Sequence, residues 1–464
     1  VSLPADRMDW LPNSGFLIFA RISEPRNPQP PPTTNYGNNF AVQQKTWNGA
    51  PKMLRCSKSC TRLPLGGSNS GRVFMLHVLY LVHDVSDPAV RRRITMLRTG
   101  GARVTLAGFR RAATPIADIE GLRPIDLGAT RDGRFAQRLV AVAKTAVSIG
   151  SKLRDVPKPD IIIARNLEML ALARRARSAF GAAVPIVYEC LDIHRLVLRD
   201  DVLGKALRAT ERHLARDVRL LVTSSPAFIA NYFKPFRQVA APVELVENKY
   251  FEAAAILPAE REAVEGPLAP PWRIGWFGAL RCRRSLELLA GFTRHMEGRF
   301  EIVLRGRPAL SEFPDFHAFI DAEPYMSFRG PYRNPEDMAA IYHDVHFSWA
   351  IDFFEEGQNS EWLLPNRLYE GCRFGAVPIS MDNTETGRFL RQRDIGVLLP
   401  QATPEALETA LGGMEQHRFG RLKARVLAHN PRMWSYDRSD CGVLVEKLRR
   451  LTTVHGPLAT EALA

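Results

Sequence analysis

Short, almost uninterrupted apolar runs alternate with helix-period patterns along most of this chain, and the alternation stops once and then restarts. The first run, "LHVLYLVH" from Leu76, has no polar face. A strand of that kind is buried on both sides, as in a parallel sheet covered by helices. "DPAVRRRITMLRTGG" follows it. Asp87 suits a helix cap, Pro88 suits the first turn, and Val90, Ile94 and Leu97 share a face. Gly100 and Gly101 stop the helix, and "ARVTLAGF" is the next strand. "PDIIIARN", the helical "LEMLALARRARSAFG", "VPIVYECLD" and "DVRLLVTSS" continue the rhythm, with a further helix opening at Pro226. The pattern predicts a doubly wound α/β domain.

"LPAEREAVEGPLAPPW" breaks the rhythm with four prolines. It restarts at "RIGWFGAL" and runs on through "FEIVLRG", "YMSFRG", "VHFSWAI", "AVPISM" and "GVLLP". The helical patterns between them are "SLELLAGFTRHM", "NPEDMAAIYHD", "NRLYEGCRF" and "TPEALETALGGM". The expected organisation is a Rossmann-like domain over 75–256, a proline-rich linker over 257–272, a second Rossmann-like domain over 273–430, and a helical tail over 431–464 that returns towards the first domain. A chain of 464 residues suits two such units. Residues 1–74, with "EPRNPQPPPTTNYGNN", have no periodicity. They read as a disordered leader, either a flexible arm or an over-extended start with Met75 as the natural one.

The formal charge is +14, and much of the arginine excess lies between Arg91 and Arg219. Nucleic acid, an anionic membrane or a phosphate-bearing substrate could each use it. Nucleic-acid binding calls for aromatic side chains among the arginines, and "PAVRRRITMLRTGG" has none. Arg91–Arg93, Arg98, Arg110 and Arg111 suggest instead a face for anionic lipid. No apolar run approaches the roughly 20 residues of a membrane span. Six scattered cysteines, with no second pair beside Cys56 and Cys60, read as reduced thiols of a cytoplasmic protein.

Three stretches could carry chemistry. In "FGALRCRRSLELL" a strand ends at Gly278, and a turn with Arg281, Arg283 and Arg284 enters a helix near Ser285. Helix N–H groups plus guanidinium forks suit a phosphate, although a solvated basic turn has the same composition. In "LLPNRLYEGCRFGAVPIS" Glu370 is the one acid. The helical spacing puts Leu368 and Cys372 on the sheet side and Glu370 nearer the polar side. There it is either a solvent-facing residue or an acceptor for a ribose diol at a strand end. In "VYECLDIHR" Asp192 and His194 lie just past a strand, where side chains project into the space between two domains. No Walker A loop, G-x-G-x-x-G, G-x-S-x-G or histidine ligand cluster occurs, nor an Asp-x-Asp pair in the two domains. A bound diphosphate is therefore expected to be neutralised by arginines and helix ends, with no metal site and no cofactor.

Together these stretches resemble the retaining family 4 glycosyltransferases of GT-B architecture, over about residues 75–450. The resemblance implies two Rossmann-like doubly wound domains facing across a cleft. It places Gly278, Arg281 and Arg284 at the donor diphosphate, with Arg284 where lysine is usual. "LLPNRLYEG…G-A-V-P-I" is similar to that family's "P-x-K-x-x-E…G-x-P-V-I" element, which implies that Glu370 binds the donor ribose and that Pro365, Asn366 and Arg367 shape the site. The family often has a second glutamate eight residues earlier. Trp362 stands there, with Glu361 beside it, so either Glu361 substitutes or the sugar is held differently. "VYECLDIH" resembles the strand end near the reacting carbon, which implies Asp192 and His194 as catalytic residues.

The start of the first domain, "LHVLYLVHDVSDPAVRRRITMLRTGGARVTLAGFRR", is similar to rhizobial succinoglycan-type exopolysaccharide glucosyltransferases. That implies a UDP-glucose donor as co-substrate, a lipid-linked oligosaccharide acceptor, and a cytoplasmic enzyme peripheral at the inner face of the plasma membrane. A nucleotide-sugar epimerase of the same architecture is the alternative, and a basic nucleic-acid-binding protein a more distant one.

Overall fold

The structure is a computed structural model that describes residues 75–111, 118–130, 135–252 and 269–453. The leader over 1–74 and most of the proline-rich linker lie outside the described residues.

In the first domain β1 (His77–Val82), α1 (Pro88–Thr99), β2 (Arg103–Arg110), β3 (Ile125–Ala129), α2 (Phe135–Lys152), β4 (Ile161–Arg165), α3 (Leu167–Phe180), β5 (Ile186–Cys190), α4 (Val202–Leu214) and β6 (Val218–Thr223) alternate. They are followed by α5 (Pro226–Phe228), which runs into a π-helical turn, then β7 (Val243–Leu245) and β8 (Tyr250–Phe251). Seven parallel strands stand in the order β3-β2-β1-β4-β5-β6-β7. The order reverses between β1 and β4, the crevice where such sheets bind ligands at the strand carboxyl ends.

The second domain repeats the plan. β9 (Trp272–Leu280), α6 (Arg283–His295), β10 (Phe300–Pro308), α7 (Phe316–Asp321), β11 (Met326–Phe328), α8 (Met338–His343) and β12 (Phe347–Trp349) form its first half. α9 (Asn359–Trp362), α10 (Asn366–Arg373), β13 (Val377–Met381), α11 (Glu385–Gln392), β14 (Val397–Leu399), α12 (Pro404–Leu411) and α13 (Gln416–Ala428) form the second. The parallel order β11-β10-β9-β12-β13-β14 reverses between β9 and β12. β9 begins at Trp272, which is fully buried in the core of this domain.

The chain then returns. β15 (Ser435–Tyr436) pairs with β8, and α14 (Arg438–Thr453) lies on α1. Cys441, Leu444, Val445 and Leu448 of α14 join Val90 and Ile94 in one buried cluster. Full burial of a large apolar side chain is worth about 1.5–3 kcal/mol, so Leu444, Val445 and Leu448 dock the helix firmly. The fit depends on Gly100, where a Cβ would meet the Cys441 carbonyl at 2.3 Å.

The strand and helix residues follow from local chemistry. Asp87 caps α1 by accepting from the Ala89 N–H at 2.8 Å. Every residue of β1, β4 and β5 is buried, which is why those runs carry no alternation.

Of the α1 arginines that the sequence grouped into one cationic face, Arg91 and Arg98 are exposed, Arg92 is half-buried and Arg93 is buried. Arg93 is buried and donates to Glu189 at 2.6 Å. Arg92 donates to Asn366 and Asn248, at 3.1 and 3.0 Å. Arg91 pairs with Glu120, Arg98 bonds the Glu120 carbonyl, Arg110 pairs with Asp126 and Arg111 with Asp84. Arg91, Arg93, Arg110 and Arg111 thus meet acids of neighbouring strand ends and turns, while Arg92 and Arg98 meet amide and carbonyl oxygens.

Candidate functional site

The two domains meet through α9 and α10, and most of the residues singled out from the sequence lie near that seam. Glu370 sits in α10, an amphipathic helix that is covered on more than one side. β12 and β13 lie under it, while β8, β15 and α8 pack over it. Glu370 is therefore buried, not on a polar face as its spacing suggested, because α8 closes the side that would have faced water. Its carboxylate accepts from the Tyr342 hydroxyl at 3.2 Å and from Asn334 Nδ2 at 3.4 Å. Burial raises its pKa, and Arg92, the Tyr342 hydrogen bond and Arg367 hold it back. Arg92 comes from the first domain, so the charge at Glu370 is felt across the seam.

Around Glu370 lie the other donor-side residues. Arg367 donates to the Ile351 carbonyl at 2.8 Å, and its Nε is buried without a hydrogen-bond partner. A buried donor left unpaired costs about 1–3 kcal/mol, so it invites an acceptor. Asn366 is held by Arg92, and Pro365 takes the cap position of α10 with extended backbone. Tyr332 interacts electrostatically with both Glu370 and Arg367. Gly278, at the end of β9, has φ +112°, and a Cβ placed there would come within 3.9 Å of the Tyr332 hydroxyl. Its neighbour Gly306 leaves no choice of residue: a Cβ there would lie 2.0 Å from the Gly278 carbonyl.

The basic turn divides. Arg281 donates to Asp352 at 3.1 Å and stacks over Phe354 at 4.5 Å. Arg284 pairs with Glu356 and stacks over Phe353 at 4.4 Å. Both therefore reach the loop between β12 and α9, while Arg283 turns away to Asp315. Helix α6 starts at Arg283, capped by Cys282, and the Ser285 hydroxyl is buried as acceptor for the Trp349 indole. The exposed Arg284–Glu356 pair is worth about 0–1 kcal/mol, whereas Asp352 is largely buried beside Arg281. A diphosphate, with more charge and bidentate geometry, can replace those carboxylates. Asp352 stays ionised: burial pushes its pKa up, but Arg367 and Arg281 outweigh burial and lower it.

Across the seam stand Asp192 and His194. Asp192 is exposed to the cleft, and the protein crowded around it raises its pKa against the pull of Arg281 and His194. Glu355, on the loop after β12, is also raised, by burial first and then by the negative charge of Asp192. Asn359 joins them. Its Oδ1 accepts from the Ile193 N–H at 3.2 Å, and its amide draws the pKa of both Asp192 and Glu355 downward. Asp192, Arg281, Glu355 and Asn359 thus bring both domains to one point. His194 caps the following turn through Nδ1, which accepts from Leu196 N–H at 3.3 Å and so leaves the proton on Nε2. The protein around it lowers its pKa, although the ring remains exposed to the cleft.

Glu361 lies apart. It accepts from the Gly357 N–H at 2.9 Å and borders a small recess of about 50 Å³ with Asp352 and Thr384. Trp362 packs against the apolar core of the first domain, and its carbonyl accepts from Ser225 at 2.5 Å. The position where a second glutamate was expected is an interdomain contact. Glu355, Asn359, Tyr332 and Tyr342 were not foreseen. Only the acid-rich "FFEEGQNSEW" gave any signal for the first two.

The chain is 60% identical over 382 residues to succinoglycan biosynthesis protein ExoL of Rhizobium meliloti (strain 1021), a match spanning 82% of this chain and 94% of that protein. The chain belongs to the ExoL family. No family model matches it. Among solved structures, this ExoL relative has the fold of sucrose-phosphate synthase from Thermosynechococcus elongatus, with TM-score 0.60 and 13% identity over 81% of this chain and 98% of that one. It is similarly related to Anabaena HepE solved with UDP-glucose, with TM-score 0.56 and 14% identity over 81% and 99%. A glycosyltransferase from Rickettsia africae matches with TM-score 0.54 and 11% identity over 82% and 100%. The fold of this ExoL-family chain is thus GT-B, with two Rossmann-like domains.

Proposed function

We propose that this ExoL-family chain is a nucleotide-sugar-dependent hexosyltransferase of exopolysaccharide biosynthesis. It moves glucose from UDP-glucose, with retention, to a lipid-linked oligosaccharide. The observation that carries the proposal is the contact between the domains beside Asp192, where the Ile193 N–H donates to Asn359 at 3.2 Å and Arg281 and Glu355 interact electrostatically with Asp192. Donor charge and acceptor chemistry need that juxtaposition, and a single-domain binding protein does not. Kinship with a succinoglycan biosynthesis protein supplies the polymer class.

In this reading Glu370 and Arg367 hold the ribose side of the donor, with Pro365 and Asn366 shaping the α10 entrance. Gly278 lets the diphosphate approach the end of β9. Arg281, Arg284 and the start of α6 stabilise the negative charge that develops on the leaving diphosphate, without a dedicated metal. Asp192 and His194 line the reacting carbon and the acceptor. Glu355 takes the place of the absent partner glutamate, and Glu361 shapes the loop that carries it. Water is kept from the donor by the closed seam.

Among the described residues no helix is long and apolar enough to cross a membrane. The lipid-linked acceptor is met at the cytoplasmic membrane surface by α2, which carries no acid and turns Val140, Val147 and Lys144 outward. Its first turns reach the cleft, where Arg138 pairs with Glu168 beside His194.

The test is a panel of labelled UDP- and GDP-sugars offered with membrane extract, the product being digested to read its linkage. Label from UDP-glucose entering a lipid-extractable oligosaccharide supports the proposal. Isomerised sugar nucleotide formed without acceptor overturns it in favour of an epimerase.

A further inference from the structure

A second polar recess lies at the opposite edge of the first domain, where β6 and β7 begin rather than where they end. It measures about 410 Å³ and is bordered by Arg212, His213 and Arg216 at the end of α4 and the turn after it, and by Arg237 and Gln238 before β7. That volume falls within the range of small-molecule sites, about 300–1,000 Å³. Gln238 is 2% exposed, yet neither its Nε2 nor its Oε1 has a hydrogen-bond partner among the described residues. Buried amides are almost always satisfied, and each exception asks for a reason. The acids of these elements are engaged elsewhere. Glu211 takes hydrogen bonds from Tyr188 and Tyr232, and Asp217 pairs with Arg177 and Arg174. Arg212 already donates to the Phe236 carbonyl at 3.1 Å, which fixes its guanidinium at the rim.

The chemistry of a ligand follows from these groups. Guanidinium forks recognise a phosphoryl group. The Gln238 amide offers one donating and one accepting end, so its Oε1 needs a hydroxyl that inorganic phosphate alone supplies poorly. We propose that this recess binds a phosphate ester of a polyol, separately from the donor cleft. The same chemistry is found in a soluble sugar or glycerol phosphate and in a glycerol-phosphate lipid headgroup.

Calorimetry on the whole protein with glycerol 3-phosphate, glucose 6-phosphate and inorganic phosphate tests the soluble source. Co-sedimentation with phosphatidylglycerol against phosphatidylcholine vesicles tests the lipid source. The expected result is millimolar or tighter binding in one arm, with the ester preferred over inorganic phosphate. Arg216→Ala with Arg237→Ala should weaken it by roughly tenfold or more. Gln238→Leu, which removes an unsatisfied buried amide and should not destabilise the fold, should abolish the preference for the ester. Absence of binding in both arms overturns the proposal. So does equal binding of inorganic phosphate, or an unchanged preference in a folded Gln238→Leu protein.

Discussion

Replacing Glu370 by glutamine separates a ligand role from a structural one, because the two make opposite predictions about stability. The carboxylate is buried, and its two protein hydrogen bonds are long, at 3.2 and 3.4 Å. Its pKa is raised, by burial above all, so the fold does not favour the charge it carries there. A carboxyl whose folded pKa exceeds its unfolded one destabilises the fold at higher pH, and this is relieved as pH falls through the folded pKa. Glutamine has the same shape without the charge, so the urea midpoint at neutral pH should hold or rise. Donor binding should move the other way. Hydrogen bonds from a ribose to a charged acceptor are worth about 1.5–3 kcal/mol, or roughly 10- to 150-fold in affinity. Ribose is remote from the reacting carbon, so the loss falls on the donor KM and leaves kcat nearly intact. The assay is UDP release at varied donor concentration, beside urea unfolding of the same preparation. A folded variant with a normal donor KM refutes the ribose assignment. A fall in kcat at unchanged KM places Glu370 at the reacting centre instead.

Three further outcomes are expected. Glu189 takes ion pairs from Arg93 and Arg165, and its pKa is lowered because these outweigh burial. Glu189→Gln should therefore destabilise by about 3–5 kcal/mol, and the stability that the wild type loses as pH falls through the depressed pKa should be missing from its urea–pH profile. Trp362→Glu, which puts a glutamate where the sequence resemblance led one to be expected, should place a carboxylate against the apolar core of the first domain. We expect a loss of about 2 kcal/mol or more and no gain in turnover, read by urea unfolding and UDP release; improved turnover would show that the position faces the sugar. Burial and then the Asp192 charge raise the Glu355 pKa, so Asp192→Asn, which removes the second cause, should move the acid limb of the kcat/KM–pH profile to lower pH; a limb left in place would separate the two carboxylates.

The sheets were legible because parallel strands buried on both faces leave continuous apolar runs, as in "LHVLYLVH" and "PDIIIARN". Helix α2 was not, since "FAQRLVAVAKTAVSIGSK" draws its face largely from alanines and valines and has no acidic first turn. The α10 motif was legible as a pattern, but the environment of Glu370 was not. Whether a helix residue is exposed depends on what covers it, and α8, β8 and β15 come from distant parts of the chain. The arginines mislead for the same reason. A run such as "RRR" reads as a surface, yet Glu189 lies 96 residues from Arg93 and takes it into the core. Asp192 was visible as a strand-end acid. Its partners Glu355 and Asn359 required the two domains to be placed together.

Acceptor-dependent UDP release is the direct readout of sugar transfer between two bound partners. Purified protein is incubated with UDP-glucose labelled in the sugar, with and without the lipid-linked oligosaccharide fraction. The account predicts release of UDP matched one for one by label in the lipid-linked product, only when acceptor is present. Release or isomerisation at the same rate without acceptor, or no UDP release with any sugar nucleotide, contradicts it.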